Sequence, residues 1–285
     1  MISFPLIDTH LHVWDLDRLA YPWLDQVPEI KKTFLLDDFD CARDGLAVDG
    51  LVFVQCECRL EQHLDELAWV QSLAEGDPRL KGIVPWAPLE QGEAVGAELH
   101  RMAEDKRVKG IRRIIQFEAD PRFCVQPAFV RGVQLCAEAG LHFELTISPA
   151  QMPAVLELVR AAPGTQFMLD HIGNPDIAGG AMEPWHSGIR ELAALDNVWC
   201  KVSGLATNAD LAHWRREQFM PYLEAVVEAF GTERIVYAGD WPHALRAIEY
   251  VDWVNVLDWA TGDWADADRR KLFRENAIRF YRLPA

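Results

Sequence analysis

Short apolar, β-branched runs recur along the chain: Leu6–His10, Gly50–Cys56, Gly82–Trp86, Gly110–Gln116, Leu141–Ile147, Gln166–Asp170, Val198–Val202 and Ile235–Ala238. Most are apolar almost without interruption, the pattern of parallel strands covered on both faces. Helical spacing appears between them. Leu64, Leu67, Ala68 and Leu73 form one stripe, stopped by Glu75-Gly76-Asp77-Pro78, and Phe129, Val133 and Cys136 form another before Gly140. Val155, Leu156 and Val159 lie between Pro153 and Pro163-Gly164, while Leu223, Val226, Val227 and Phe230 end at Gly231. Leu272, Phe273, Ala277, Ile278 and Tyr281 predict an extra C-terminal helix.

Strand and helix alternate eight times with no linker or low-complexity tract. That arithmetic predicts an α/β fold, a single (β/α)8 TIM barrel over residues 1–285 with a C-terminal extra helix. A doubly wound open sheet is the rival. It usually has fewer strands, and the glycine-rich phosphate-binding turn after the first strand is missing.

Composition narrows the partners. Of 285 residues, half are hydrophobic and a quarter charged, which excludes wholesale disorder. No stretch approaches the ~20 apolar residues of a membrane span, and Met1–Pro5 lacks the features of a signal peptide. A cytoplasmic location is expected. The 44 acidic against 28 basic residues give a charge of −16, which repels nucleic acid and anionic membranes alike. A small-molecule partner is expected, and self-association into a homo-oligomer stays open. The six cysteines lack C-x-x-C spacing and read as reduced, mostly buried thiols.

In a barrel, chemistry gathers where strands end. The first strand ends Asp8-Thr9-His10-Leu11-His12, and residues i and i+2 face the same way, so His10 and His12 project together. Alone, that pair is a weak metal signal. His171 ends the sixth strand and Asp240 the eighth, which makes four convergent candidates for a divalent site. Asp240 is the candidate general base, able to take a proton from water.

The stretches Asp8-Thr9-His10-Leu11-His12-Val13-Trp14, Leu169-Asp170-His171-Ile172-Gly173-Asn174-Pro175, Lys201-Val202-Ser203-Gly204-Leu205 and Gly239-Asp240-Trp241-Pro242 resemble the amidohydrolase superfamily. The closest branch looks like the sugar-lactonase-like "amidohydrolase 2" group, with fucono-, rhamnono- and galactonolactonases and a pyrone-dicarboxylate lactonase. The resemblance runs from about Leu6 to Leu283. It implies hydrolysis of a cyclic ester, with Asp240 and His171 catalytic and His10, His12, His171 and Asp240 as the metal set. Members of the branch differ in metal dependence, so one divalent metal, zinc first, or none is implied. Lys109 stands at the start of the fourth strand, not its end, so a lysine-bridged binuclear centre is not expected. Two positions depart from the family. Glu144 replaces the usual Asp, and His243 replaces a small apolar residue after Asp-Trp-Pro.

Further candidates for substrate contact are Glu57, Arg112, Lys201, Trp14, Trp241 and His243. Each has a plain alternative: a solvated acid for Glu57, an ion pair for Arg112 or Lys201, and packing for the tryptophans. Only one of Arg112 and Arg113 can face the barrel interior. The leading expectation is a hydrolase opening a sugar-acid lactone. A metal-dependent decarboxylase is the alternative, favoured by two arginines in the mouth. A Schiff-base lyase on Lys201 and a sugar-binding barrel without chemistry complete the set.

Overall fold

The computed structural model of the chain describes residues 2–284. Its strands are β1 Leu6–Leu11, β2 Val48–Val54, β3 Leu80–Val84, β4 Gly110–Arg112, β5 His142–Leu145, β6 Phe167–Leu169, β7 Val198–Val202 and β8 Ile235–Tyr237. All pair in parallel, in the arcs β1-β2-β3 and β4-β5-β6-β7-β8. Single bridges close the ring: Ile83 with Val108 joins the arcs on one side, and Leu11 with Trp241 joins them on the other. The result is the (β/α)8 barrel.

The outer helices are α1 Leu36–Ala42, α2 His63–Gly76, α3 Gly96–Met102, α4 Pro127–Glu138, α5 Met152–Ala161, α6 Trp185–Ala193, α7 Met220–Phe230 and α8 Tyr250–Ala260. Prolines occupy the first turns of α4, α5 and α7, where no intrahelical N–H is needed. Each helix turns an apolar stripe onto the strands, and the large outer core runs continuously around the ring.

Inside the barrel, a separate small core holds Ile7, Val52, Val54, Val84, Met168, Trp199 and Val236. The C-terminal extra helix forms as α9 Asp266–Arg270, a π turn Lys271–Glu275 and α10 Asn276–Tyr281. Ala277, Tyr281 and Leu283 join the inner core and plug the end of the barrel where the strands begin. Lys109 Nζ reaches the Arg282 carbonyl at that same end, far from the strand termini that carry chemistry. Among the described residues, no helix is long and apolar enough to cross a membrane.

Candidate active site

Backbone irregularity at the strand ends builds the site. From Asp8 to Leu11, β1 advances three residues while its β2 partners advance from Leu51 to Phe53, so one residue is extra. Such a bulge re-aims side chains. Ile7 fills the inner core, yet His10 and His12 also turn inward, their ring centroids 4.8 Å apart. Five non-glycine residues with positive φ cluster here: Glu57, His171, Ile172, Asn174 and Asp240. Strained backbone of this kind persists only where its surroundings over-determine it, and it gathers at functional sites.

Asp8 fastens this end of the barrel. Its Oδ1 accepts the N–H groups of His10 and Gly239 at 2.9 and 2.8 Å, tying the first and eighth strands together. A Cβ at position 239 would lie 2.3 Å from Asp8 Oδ2, so only glycine fits that approach. Burial pushes the Asp8 carboxyl up to about 6, against the pull of those two N–H donors.

The histidines are buried and neutral. Desolvation holds His10 well below its ordinary value and lowers His12 and His171 as well. His12 Nδ1 lies 2.7 Å from the Val54 carbonyl, so that nitrogen carries the proton and Nε2 presents a lone pair. The lone pair faces Asp240 Oδ1 at 3.5 Å, and His10 Nε2 stands 3.7 Å from the same oxygen. Burial pushes the Asp240 carboxyl up, but His171, His243 and His12 outweigh that and hold it well below the usual carboxylate range. An ionised carboxylate and a bare imidazole nitrogen are both acceptors. Facing each other, they call for a cation.

A divalent ion fits that demand. The donor atoms of His10, His12 and Asp240 lie within 4.8 Å of one another, and so do those of His10, Asp170 and His171. The two groups overlap at His10, whose ring centroid is 4.7 Å from that of His171. Neutral imidazoles and an ionised carboxylate are the ligand types zinc takes. His171 Nδ1 is paired with Ser203 Oγ at 2.9 Å, which fixes the ring from behind.

Below this set lies a sealed ionic cluster. Lys201 Nζ is 2.6 Å from Glu144 Oε2, 3.0 Å from Asp170 Oδ1 and 3.0 Å from His10 Nδ1, with no exposed side-chain surface. Tyr281 of α10 donates to Glu144 Oε1 at 2.8 Å, and Thr146 donates to Asp170 Oδ2 at 2.7 Å. Burial raises the Asp170 carboxyl, but the charge of Lys201, with the contact to His10, outweighs it and holds it well below the usual carboxylate range.

Above the set opens a cavity of about 510 Å³ lined by His12, Glu57, Arg112, His171, Asp240 and His243, among others. An apolar groove between α7 and α8 also exists, but it lies outside the barrel and holds none of these groups.

The amidohydrolase family profile matches residues 7–283. The chain belongs to the amidohydrolase family. It is 30% identical to an L-fucono-1,5-lactonase of Burkholderia multivorans, covering 98% of this chain and 96% of that one. An L-fucono-1,5-lactonase of Burkholderia ambifaria is also 30% identical, over 97% and 95% of the two chains. A zinc-bound amidohydrolase structure from Burkholderia multivorans superposes with a TM-score of 0.89 at 29% identity, covering 99% of this chain and all of that one.

In this amidohydrolase, six of the site residues expected from sequence line the cavity and four do not. His10 lies just beneath the lining, fully buried. Lys201, expected at the substrate, is sealed inside the barrel by its two carboxylates. Trp14 is also fully buried, with Nε1 donating to the Lys32 carbonyl and its ring against Trp23 and Phe34. Trp241 packs edge-on against Phe34 and Phe39. None of these three lines the cavity, and each is buried among protein atoms, with Trp241 Nε1 left without a hydrogen-bond partner. Arg112 is the inward arginine, giving Nη2 to the Gln55 carbonyl and placing Nη1 3.1 Å from His10 Nε2. Arg113 faces out to Glu90 and Glu118.

Several lining residues carry no role that the sequence alone assigns. Gln116, Asn174 and Asn208 form an amide row, with Asn208 Nδ2 donating to Asn174 Oδ1 at 3.1 Å. Asp170 and Ser203, which brace His10 and His171, sat inside quoted motifs without assigned roles. Their positions one residue before His171 and two after Lys201 were the available signal.

Proposed function

We propose that the chain, residues 1–285, is a lactonase opening a sugar-acid lactone. The observation that carries it is the ionised Asp240, aimed with His10 and His12 at the floor of a polar-rimmed cavity. The names of the L-fucono-1,5-lactonases support the substrate class. A zinc ion, when bound by His10, His12, Asp240 and His171, supplies Lewis acidity toward the lactone carbonyl. Asp240 accepts a proton from the attacking water, whose oxygen bonds to the carbonyl carbon. The ring C–O bond then breaks, and the same proton passes to the leaving alkoxide. Glu57 meets the polar groups of the substrate, together with the amide row of Gln116, Asn174 and Asn208.

Decarboxylation fits less well. It needs a guanidinium fork free to clamp a carboxylate. Two arginines, Arg112 and Arg246, line the cavity, but Arg112 is spent on Gln55 and His10, and Arg246 pairs with Glu29 at 3.0 Å. A sugar-acid lactone substrate would put the enzyme in carbohydrate metabolism, and we propose a cytoplasmic location for it. A pH-indicator assay over L- and D-aldonolactones and a pyrone should find a substrate that releases one proton per turnover. Silence across the panel with folded, zinc-loaded protein overturns the proposal.

A further inference from the structure

His243 follows Asp240-Trp241-Pro242 at the cavity lining, and its contacts differ from those of a substrate ligand. Its Nδ1 lies 3.1 Å from Asp240 Oδ2, while its Nε2 lies 3.3 Å from Arg246 Nη1. Arg246 Nε is in turn 3.0 Å from Glu29 Oε1. The chemistry of the two ends fixes the ring. A carboxylate only accepts, so Nδ1 must donate, and a guanidinium only donates, so Nε2 must accept. A single neutral tautomer satisfies both, and it leaves neither ring nitrogen for a ligand.

Asp240 is thereby divided. Oδ2 is taken by His243, and Oδ1 is left facing His12 Nε2 and His10 Nε2 at 3.5 and 3.7 Å. A carboxylate on a strand end can otherwise swing about its terminal torsion, which is broad. With Asp240 already at a φ of 55°, a second restraint on the side chain completes its orientation.

We infer that His243 is a positioning residue: its Nδ1–H holds Asp240 Oδ2 so that Oδ1 points into the His10–His12 set, and Arg246, braced by Glu29, fixes the tautomer that allows it. The inference deepens the lactonase reading and rests on its assignment of Asp240. Trp23, whose ring centroid is 6.2 Å from that of His243, packs beside the arrangement and gives its own Nε1–H to the Cys56 carbonyl.

The test begins without substrate. Imidazole nitrogen NMR of the full chain, with the His243 signals assigned by their loss in H243N, should show Nδ1–H and a bare Nε2. An Nε2–H tautomer overturns the inference. Zinc affinity by chelator competition is the second measurement. Loss of a ligand's hydrogen-bonded brace weakens metal binding by ~10–100-fold. H243L should show that loss, R246L a smaller one, and H243N, which keeps an N–H near the place of Nδ1, should recover most of it. Wild-type affinity in both H243L and R246L overturns the inference, and R246L alone decides if H243L does not fold. On a turned-over lactone, H243L should lower kcat with KM nearly unchanged. A raised KM at unchanged kcat and zinc affinity makes His243 a substrate contact instead and overturns the inference. Wild-type protein that holds no zinc refutes the metal set of the lactonase reading, and the tautomer then decides the role of His243.

Discussion

Replacing Lys201 by Met keeps a long unbranched side chain in the barrel and removes its charge. The ammonium sits 2.6 Å from Glu144 and 3.0 Å from Asp170, and all three side chains are fully buried. Breaking a buried pair strands a charge and costs about 3–5 kcal/mol. At roughly 2.1 cal/mol/K per residue, unfolding 285 residues carries about 0.6 kcal/mol/K, so the melting midpoint should fall by ~5–8 °C. Thermal melts of K201M beside wild type read this directly, with urea midpoints as the check. The partner belongs in the same experiment. Glu144→Gln should cost less in the K201M background than in wild type, because the carboxylate it removes there has already lost its cation. A K201M protein that melts within ~1 °C of wild type, but has lost turnover, would refute the structural reading and return Lys201 to chemistry.

Asp240→Asn preserves shape and removes the base, so kcat should drop ~10²–10⁴-fold, with zinc content measured on the same sample. Near-wild-type turnover with metal retained would transfer the role to another group, Glu57 first. Glu66 on α2 is buried beneath the site, accepts the Cys56 N–H, and is pushed up by burial to about 8 from an ordinary 4.5. The folded chain therefore holds a proton between those values that the unfolded chain has released. Its contribution is full below pH 4.5 and lost as pH rises through about 8, at ~1.4 kcal/mol per unit. Between pH 5.5 and 8 the stability of Glu66→Gln relative to wild type, read from urea midpoints, should rise by about 3 kcal/mol, because only wild type loses the Glu66 contribution; parallel pH profiles would dismiss the account.

All eight strand cores were legible in the runs of apolar residues, because a strand covered on both faces leaves that mark wherever it lies. Their ends were not. Gly110–Gln116 reads as one strand, yet pairing stops at Arg112, where Arg113 leaves for Glu90 and Glu118 on the surface. Helix α8 escaped notice because Tyr250, Trp253, Val254, Val256 and Leu257 are all buried, giving too broad an apolar surface for a clean stripe. In the site, the i, i+2 rule located His10 and His12 together, while the bulge beneath them depends on β2 and leaves no local trace. Lys201 could be read as ion pair or reagent until Glu144 and Asp170, from two other strands, were seen on either side. Trp14 and Trp241 have the composition of sugar platforms, and only the rings around them reveal packing.

The plug formed by α10 has a consequence for biosynthesis. Glu144 and Lys201 come from strands made well before Tyr281, whose hydroxyl completes the hydrogen bonding of Glu144. A nascent barrel with all eight strands out of the ribosome would still have an open floor, with water reaching the ions beneath His10. Vectorial synthesis thus delays the drying of that interior until the residues that seal it emerge, so the docking of α10, not completion of the sheet, sets when Lys201, Glu144 and His10 acquire their final environment.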